Sequence, residues 1–106
     1  MNLLNYYTRQ NDINIKENEE NYVIELLAPA RKAEDFNIEV KGDHIIIESE
    51  KETTFSFTSF KKSFLLPEQI DKEKISAEYK AGVLIIEIPK SEIAKEKQII
   101  KVKESN

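Results

Sequence analysis

The chain has 106 residues, of which 40% are hydrophobic and 34% charged, and its formal net charge is −4. This length and composition predict a single globular domain with a densely charged surface, and they exclude a disordered chain and a second domain. The lack of cysteine excludes disulfides, thiolate metal sites and a cysteine nucleophile, and the charge of −6 up to Pro89 (11 basic minus 17 acidic residues) argues against nucleic acid as a partner.

Two strands are predicted in the first thirty residues. NDINIK, residues 11–16, alternates polar and apolar side chains and places Ile13 and Ile15 on one half-buried face. YVIELLAP, residues 22–29, is an apolar and partly β-branched run. Pro29 ends it, because proline lacks the N–H that a sheet ladder needs.

FNIEVKGDHIIIES, residues 36–49, has the pattern of a β-hairpin. Apolar side chains alternate from Phe36 up to Gly42-Asp43, and three consecutive isoleucines follow. A glycine in a two-residue turn supplies the positive φ that such turns need. The segment therefore predicts two antiparallel strands joined at Gly42-Asp43.

FKKSFLLP, residues 60–67, predicts a further strand, since its phenylalanines share one parity and a proline ends the run. Phe55 and Phe57, just upstream, have the opposite parity. A bulge or a strand break near residues 58–59 would reconcile the two patterns.

KISAEYKAGVLIIEIP, residues 74–89, predicts a second hairpin. Apolar side chains alternate from Ile75 to the Ala81-Gly82 turn, and a largely apolar strand then runs to Pro89. Strands thus recur about every 10 to 12 residues, and only APARKAEDF and EQIDKEK resemble a helical turn. This spacing predicts an all-β fold, an antiparallel β-sandwich.

Residues suited to catalysis are scarce. The lone histidine, His44, lies beside a predicted turn, where we expect a solvated side chain with no metal-binding role. Acidic pairs such as Glu34-Asp35 and Glu19-Glu20 lie in charged connecting segments and are expected on a solvated surface. Because the sequence contains no glycine-rich phosphate loop, G-x-S-x-G elbow or H-E-x-x-H pair, we expect no enzyme, no cofactor and no metal site.

AEYKAGVLIIEIPK, residues 77–90, resembles the A-x-x-x-x-G-V-L-x-I-x-x-P-K signature of the α-crystallin domain of small heat shock proteins, the Hsp20 family. YVIELLAPARKAEDFNIEVKGDHIIIES and FKKSFLLPEQIDKEKISA are similar to two further stretches of that domain, in the same order. The resemblance implies an immunoglobulin-like β-sandwich. It divides the chain into a short N-terminal arm (1–10), an α-crystallin domain (11–90) and a C-terminal extension (91–106).

The C-terminal extension carries a further resemblance. Family members often end in an I-x-[IV] motif that docks into an apolar groove of a neighbouring subunit's domain, and Ile100 and Val102 match that motif. The alternatives are a frayed end, or an amphipathic helix that begins with Ile93, Ala94 and Lys97. The resemblance implies a groove for the tail or for a client, lined by residues of two strands: Ile38, Val40, Ile75, Ala77 and Tyr79.

Departures from the family's pattern bear on assembly. The link of residues 50–59 is short for the strand exchange that bacterial and plant members commonly use, since ten residues span at most about 35 Å. Lys62 stands where the family usually has arginine, and Ala30 where it usually has glycine. The arm keeps few large apolar residues: Leu3, Leu4, Tyr6 and Tyr7. We therefore expect a dimer to form by edge-to-edge pairing of one strand with its own copy, through Phe60, Lys61, Lys62 and Phe64.

The resemblance implies a role in the stress response as an ATP-independent molecular chaperone, a holdase that binds partly unfolded client proteins and prevents their aggregation. Its partners are then client proteins and further copies of the chain in a dimer or larger homo-oligomer, without nucleic acid or membrane. The alternative is a minimal scaffolding or co-chaperone module, either p23-like or co-assembling with longer small heat shock proteins. Because the sequence shows no secretory signal and no membrane-spanning apolar run, we expect it in the cytoplasm.

Overall fold

The computed structural model describes residues 12–50, 59–95 and 100–105. Two antiparallel sheets face each other, one with the strand order β1-β2-β7-β6 and the other with the order β3-β4-β5. The predicted β-sandwich is therefore confirmed. The strands are β1 (Ile13–Glu17), β2 (Asn21–Leu27), β3 (Phe36–Lys41), β4 (His44–Ser49), β5 (Phe60–Leu65), β6 (Ser76–Lys80) and β7 (Val83–Pro89).

The core lies between the sheets and is built by alternate residues of the central strands β2, β4 and β7. Burying each large aliphatic side chain stabilises the fold by about 1.5 to 3 kcal/mol, so this layer is the main source of stability. Ile13, whose strand β1 borders its sheet, packs against the core, whereas Ile15 on the same face is 56% exposed. The buried apolar residues are Ile24, Leu26, Ala28, Ile45, Ile47, Leu66, Leu84, Ile86 and Ile88.

Both predicted hairpins are confirmed, each with a two-residue turn. Lys41 pairs with His44 around a turn in which Gly42 has a φ of 61°. In the second hairpin, β6 and β7 join at Ala81-Gly82, where both residues have positive φ, at 52° and 81°. Positive φ at both central positions is the type I′ geometry that matches the twist of the flanking strands.

The loop after β2 contains a second alanine in the left-handed region. Ala30, directly after Pro29, has a φ of 64°. An L-residue is disfavoured there because its Cβ approaches the neighbouring carbonyl, whereas glycine adopts this region freely. Position 30 thus has a backbone conformation that favours glycine, although an alanine occupies it.

The two segments predicted to resemble a helical turn each contain a short 3₁₀ helix, at Ala33–Asp35 and Lys72–Lys74. A one-turn helix, α1 (Glu92–Lys95), follows the sandwich. Along the described ranges, no helix is long and apolar enough to cross a membrane. The predictions for the arm, for Phe55 and Phe57 and for a bulge at residue 58 lie outside those ranges.

Candidate functional site

One open edge of the sandwich lies between β3 and β6. Phe36 at the start of β3 and Tyr79 near the end of β6 pack with ring centroids 5.1 Å apart. Near the other end of the same gap, the Lys72 ammonium donates a hydrogen bond of 2.8 Å to the carbonyl of Gly42. The two strands therefore border one gap and run in opposite directions across it.

Four of the five predicted groove residues lie on β3 or β6, and the fifth, Ile75, directly precedes β6. Those on β3 and β6 sit opposite buried residues of the neighbouring strand, as Val40 sits opposite Ile45 and Ala77 opposite Ile86, so their side chains face the other sheet. Val40 is nevertheless 40% exposed and Ala77 is also exposed, because each lies on an edge strand. We call the surface formed by the following residues the β3–β6 groove: Ile38, Val40, Ile75, Ala77 and Tyr79.

Backbone groups also point into this edge. Lys41 and Lys80 are the last strand residues before the two-residue turns. Each pairs across its hairpin with the first residue after the turn. The direction of the backbone N–H and C=O groups alternates along a strand. Those of Ile38 on β3 and of Ala77 on β6 therefore point away from the neighbouring strand of their own sheet. Within the described ranges, no further strand pairs with these two edges.

The alternating direction of side chains and backbone groups along β3 and β6 decides how a peptide fits the β3–β6 groove. Residues directly opposite each other in an antiparallel pair point to the same face of the sheet. An extended segment that hydrogen-bonds to the free groups of β3 or β6 therefore places residues i and i+2 between the sheets, while residue i+1 faces solvent. The edge is thus suited to apolar side chains at alternate positions.

Tyr79 closes one end of the groove. Its hydroxyl donates a hydrogen bond of 2.7 Å to the carbonyl of Ala28 and accepts one of 3.3 Å from the backbone N–H of Arg31. These bonds tie β6 to the loop that follows β2. They hold the Tyr79 ring against Phe36, so the opening begins at the level of Ile38.

Arg31 fastens the same loop to the opposite sheet. Its Nε donates a hydrogen bond of 2.8 Å to the hydroxyl of Ser49, which is only 1% exposed, and its Nη1 donates one of 3.0 Å to the carbonyl of Pro29. The guanidinium lies 5.1 Å from the ring centroid of Phe60. Sequence analysis missed this contact, although a serine with the parity of Ile45 and Ile47 is a signal for a buried polar partner.

The tail motif lies outside the groove of its own chain. Residues 100–105 form neither helix nor strand, and the side chains of Ile100 and Val102 are 75% and 91% exposed. The alternative of a helix is met only in part, since α1 spans one turn and Ile93 on it is 64% exposed. Lys97 lies outside the described residues.

The candidate dimer strand, β5, is an edge strand of the three-stranded sheet. Phe60, Lys62 and Phe64 face the other sheet, because they pair with the buried residues of β4. The Lys62 ammonium lies 5.8 Å from the ring centroid of Phe60. Lys61 faces solvent, with its ammonium 3.8 Å from the Glu48 carboxylate.

The titratable residues form a charged surface. His44 is about half exposed, and its Nδ1 lies 2.8 Å from an Asp43 carboxylate oxygen. Hydrogen bonds from the Asn14 amide and from Lys16 lower the pKa of the Glu25 carboxyl. Across the described part of the chain, no three His, Cys, Asp or Glu residues converge as a metal site.

Comparisons with known proteins bear on the family and the fold of the chain. A model of the Hsp20/alpha crystallin family matches residues 14–103. The small heat shock protein C4 of Rickettsia felis is 30% identical over 97 residues, which cover 80% of this chain and 60% of that protein. The chain spans only 35% of a chloroplastic small heat shock protein of Solanum lycopersicum, which is 33% identical over 84 residues and covers 70% of this chain.

A solved structure shares the sandwich. A small heat-shock protein from Xylella fastidiosa superposes with a TM-score of 0.72 at 24% identity, covering 89% of this chain and 94% of that one. This similarity supports the fold, and the family match extends over most of the sequence. The chain belongs to the Hsp20/alpha crystallin family.

Proposed function

We propose that the protein is an ATP-independent chaperone that holds partly unfolded proteins and keeps them from aggregating. The observation that carries the proposal is the β3–β6 groove, where exposed apolar side chains and free backbone groups belong to the same residues, such as Val40 and Ala77. Family membership supports the same function. The proposal requires no nucleotide and no catalytic step.

The chemistry of an aggregating client matches this surface. Partly unfolded chains expose apolar side chains and unpaired strand edges, and they associate through both. A groove that offers backbone hydrogen bonds and apolar contacts at once competes for the same segments. Because apolar burial is non-directional, the groove binds many exposed apolar segments rather than one particular sequence.

We propose that the tail of a neighbouring copy caps the groove. Ile100 and Val102 have the i, i+2 spacing that the groove parity requires, and both are exposed in the single chain. Burial is worth about 1.5 to 3 kcal/mol for each side chain, and ordering each tail residue costs about 1 to 2 kcal/mol. The two contributions nearly cancel, so a single tail binds weakly and a client segment displaces it.

We also propose that β5 pairs edge to edge with its copy in a dimer. The ten residues of the 50–59 link span at most about 35 Å, which leaves little length for a strand to leave, pair with another subunit and return. An exposed strand edge is itself a site for pairing. A structure in which residues 53–58 pair with the partner's sheet would refute this dimer.

Light scattering of an unrelated model client under heat or reduction tests the chaperone proposal. Without ATP, near-stoichiometric protein should suppress the rise in scattering. The Ala77→Glu variant places a charge in the groove and should lose most of this effect. The matched control is Ser76→Glu, one residue away on the outer face of β6, which should retain it. Equal scattering with and without the wild-type protein would contradict the proposal.

A further inference from the structure

The edge of the sandwich opposite the β3–β6 groove contains an apolar hollow of about 120 Å³. It lies between the edge strands β1 and β5, where Ile15 is 56% exposed and Leu65 is 67% exposed. Tyr22, Phe64 and Pro67 also line it. Since a cavity of about 150 Å³ holds a benzene ring, this hollow has room for about one aromatic side chain.

Backbone groups of β1 point outward along the same edge. The carbonyl of Asp12 accepts a hydrogen bond of 2.8 Å from the N–H of Leu27, next to β2, and the direction of these groups alternates along a strand. The N–H and C=O groups of Ile13 and Ile15 therefore point away from β2, and among the described strands none pairs with them. The side chains of both isoleucines face the other sheet, because they sit opposite buried residues of β2.

Residues 1–11 directly precede this edge in the chain. Their pairing with β1 is intramolecular, so it has an effective concentration in the millimolar range. An antiparallel segment at this edge directs every second side chain toward the hollow, and Leu4 and Tyr6 have that spacing. The opposite parity turns Asn5 and Arg9 toward the hollow, where a polar group without a partner is costly.

The connection to β1 fixes the register. Because the Asp12 carbonyl is bound to the strand β2 side, Ile13 is the first residue that offers both backbone groups to a new segment. Residues 9–12 form a polar loop of four residues, a common length between antiparallel strands, and this loop sets Tyr6 opposite Ile15. A two-residue loop would need positive φ at two positions that are not glycine.

We propose that residues 3–8 form an additional strand that pairs with β1 of the same chain, with Tyr6 directly opposite Ile15. The side chains of Leu4 and Tyr6 then cover the apolar hollow. The strand also occupies an exposed sheet edge, which would otherwise be open to pairing with other chains. Because this edge lies across the sandwich from the β3–β6 groove, the inference does not rest on the proposed chaperone function.

Hydrogen exchange of the full chain tests the added strand. The outward amides of β1 should exchange slowly, as read by mass spectrometry of a peptide that covers β1. The Leu4→Asp/Tyr6→Asp variant should raise their exchange rate about tenfold or more, because carboxylates cannot enter the apolar hollow. The matched control, Leu3→Asp/Tyr7→Asp, makes the same changes on the outer face and should keep the slow exchange. Equal exchange rates in the two variants would overturn the proposal.

Paired cysteines test the register, since the chain contains none of its own. Asn5 lies opposite Lys16 in a non-hydrogen-bonded pair, with Cα atoms about 4.5 Å apart, within the range of about 4.4 to 6.8 Å that a disulfide accepts. The Asn5→Cys/Lys16→Cys variant should therefore form an intramolecular disulfide under a mild oxidant. It should run as a monomer on a non-reducing gel and have no free thiol.

The control for the register is Asn5→Cys/Asn14→Cys. These two positions are diagonal neighbours about 7 to 8 Å apart, too far for a disulfide, so both thiols should stay free. Equal cross-linking of the two pairs would overturn the register. Covalent dimers of Asn5→Cys/Lys16→Cys would show the segment on a neighbouring copy and overturn its docking within the chain.

Discussion

The Tyr79 hydroxyl donates a 2.7 Å hydrogen bond to the carbonyl of Ala28, two residues that are 51 positions apart in the chain. The bond joins the edge strand β6 to the loop after β2, and that loop is fastened to the other sheet through Arg31 and Ser49. The two walls of the β3–β6 groove are thus tied together at one end. A groove held open in this way needs less ordering when a peptide binds.

Removing this hydroxyl should destabilise the sandwich. The Tyr79→Phe variant leaves the Ala28 carbonyl, in a residue that is 1% exposed, without its donor, and we expect a loss of about 1 to 3 kcal/mol in the free energy of unfolding. Urea denaturation measures it. The control is Tyr22→Phe, since no hydrogen bond joins the Tyr22 hydroxyl to the described residues. An equal loss in both variants would contradict the assigned role.

Glycine at position 30 should stabilise the protein. Alanine at a φ of 64° costs about 1 to 2 kcal/mol, and the added freedom of glycine in the unfolded chain costs about 0.4 to 1 kcal/mol. The Ala30→Gly variant should therefore gain up to about 1.6 kcal/mol in the free energy of unfolding, measured by thermal or urea denaturation. The matched change Ala33→Gly, within a 3₁₀ helix, should instead lose about 0.5 to 1 kcal/mol. A loss at position 30 would show that strain does not govern this loop.

Truncating the two apolar side chains of the tail motif to alanine should weaken assembly without unfolding the domain. In the Ile100→Ala/Val102→Ala variant, each tail loses most of its apolar contact, and we expect the native-mass distribution to move toward dimers or monomers. Ile93→Ala, which shortens another exposed isoleucine on α1, is the control and should leave the distribution unchanged. If the double variant keeps the wild-type distribution at several concentrations, the groove binds another ligand.

Glu25 should make a small contribution to the free energy of unfolding that is lost in acid. Hydrogen bonds from Asn14, and then from Lys16, lower the pKa of its carboxyl from the usual 4.5 in the folded state. The charged carboxylate therefore stabilises the fold above that value, and this contribution is lost as the pH falls through the lowered folded pKa. The thermal midpoint of the wild type should exceed that of Glu25→Gln well above the usual carboxyl pKa, and the difference should shrink as the pH falls through the lowered folded pKa. A difference that does not vary with pH would contradict the assignment.

The local pattern of the sequence was sufficient to predict much of the fold. The Gly42-Asp43 and Ala81-Gly82 turns and the alternation on each side of them predicted both hairpins, because turn geometry and strand parity depend on neighbouring residues. Pairing of β2 with β7 and the packing of the two sheets involve residues far apart in the chain. The resemblance of residues 77–90 to a known family supplied that long-range arrangement, which periodicity alone could not.

The sequence by itself determined which side chains face inward, since a period of two assigns every residue of a strand to one side. Tertiary structure alone decided which inward positions are covered. Ile86 and Ala77 are cross-strand neighbours with the same orientation, yet Ile86 is fully buried and Ala77 is exposed. Among the described strands, β7 has a neighbour on both sides and β6 on one side only. Burial depends on neighbours that the three-dimensional arrangement supplies, and the same arrangement brought Arg31 to Ser49 and Tyr79 to Ala28.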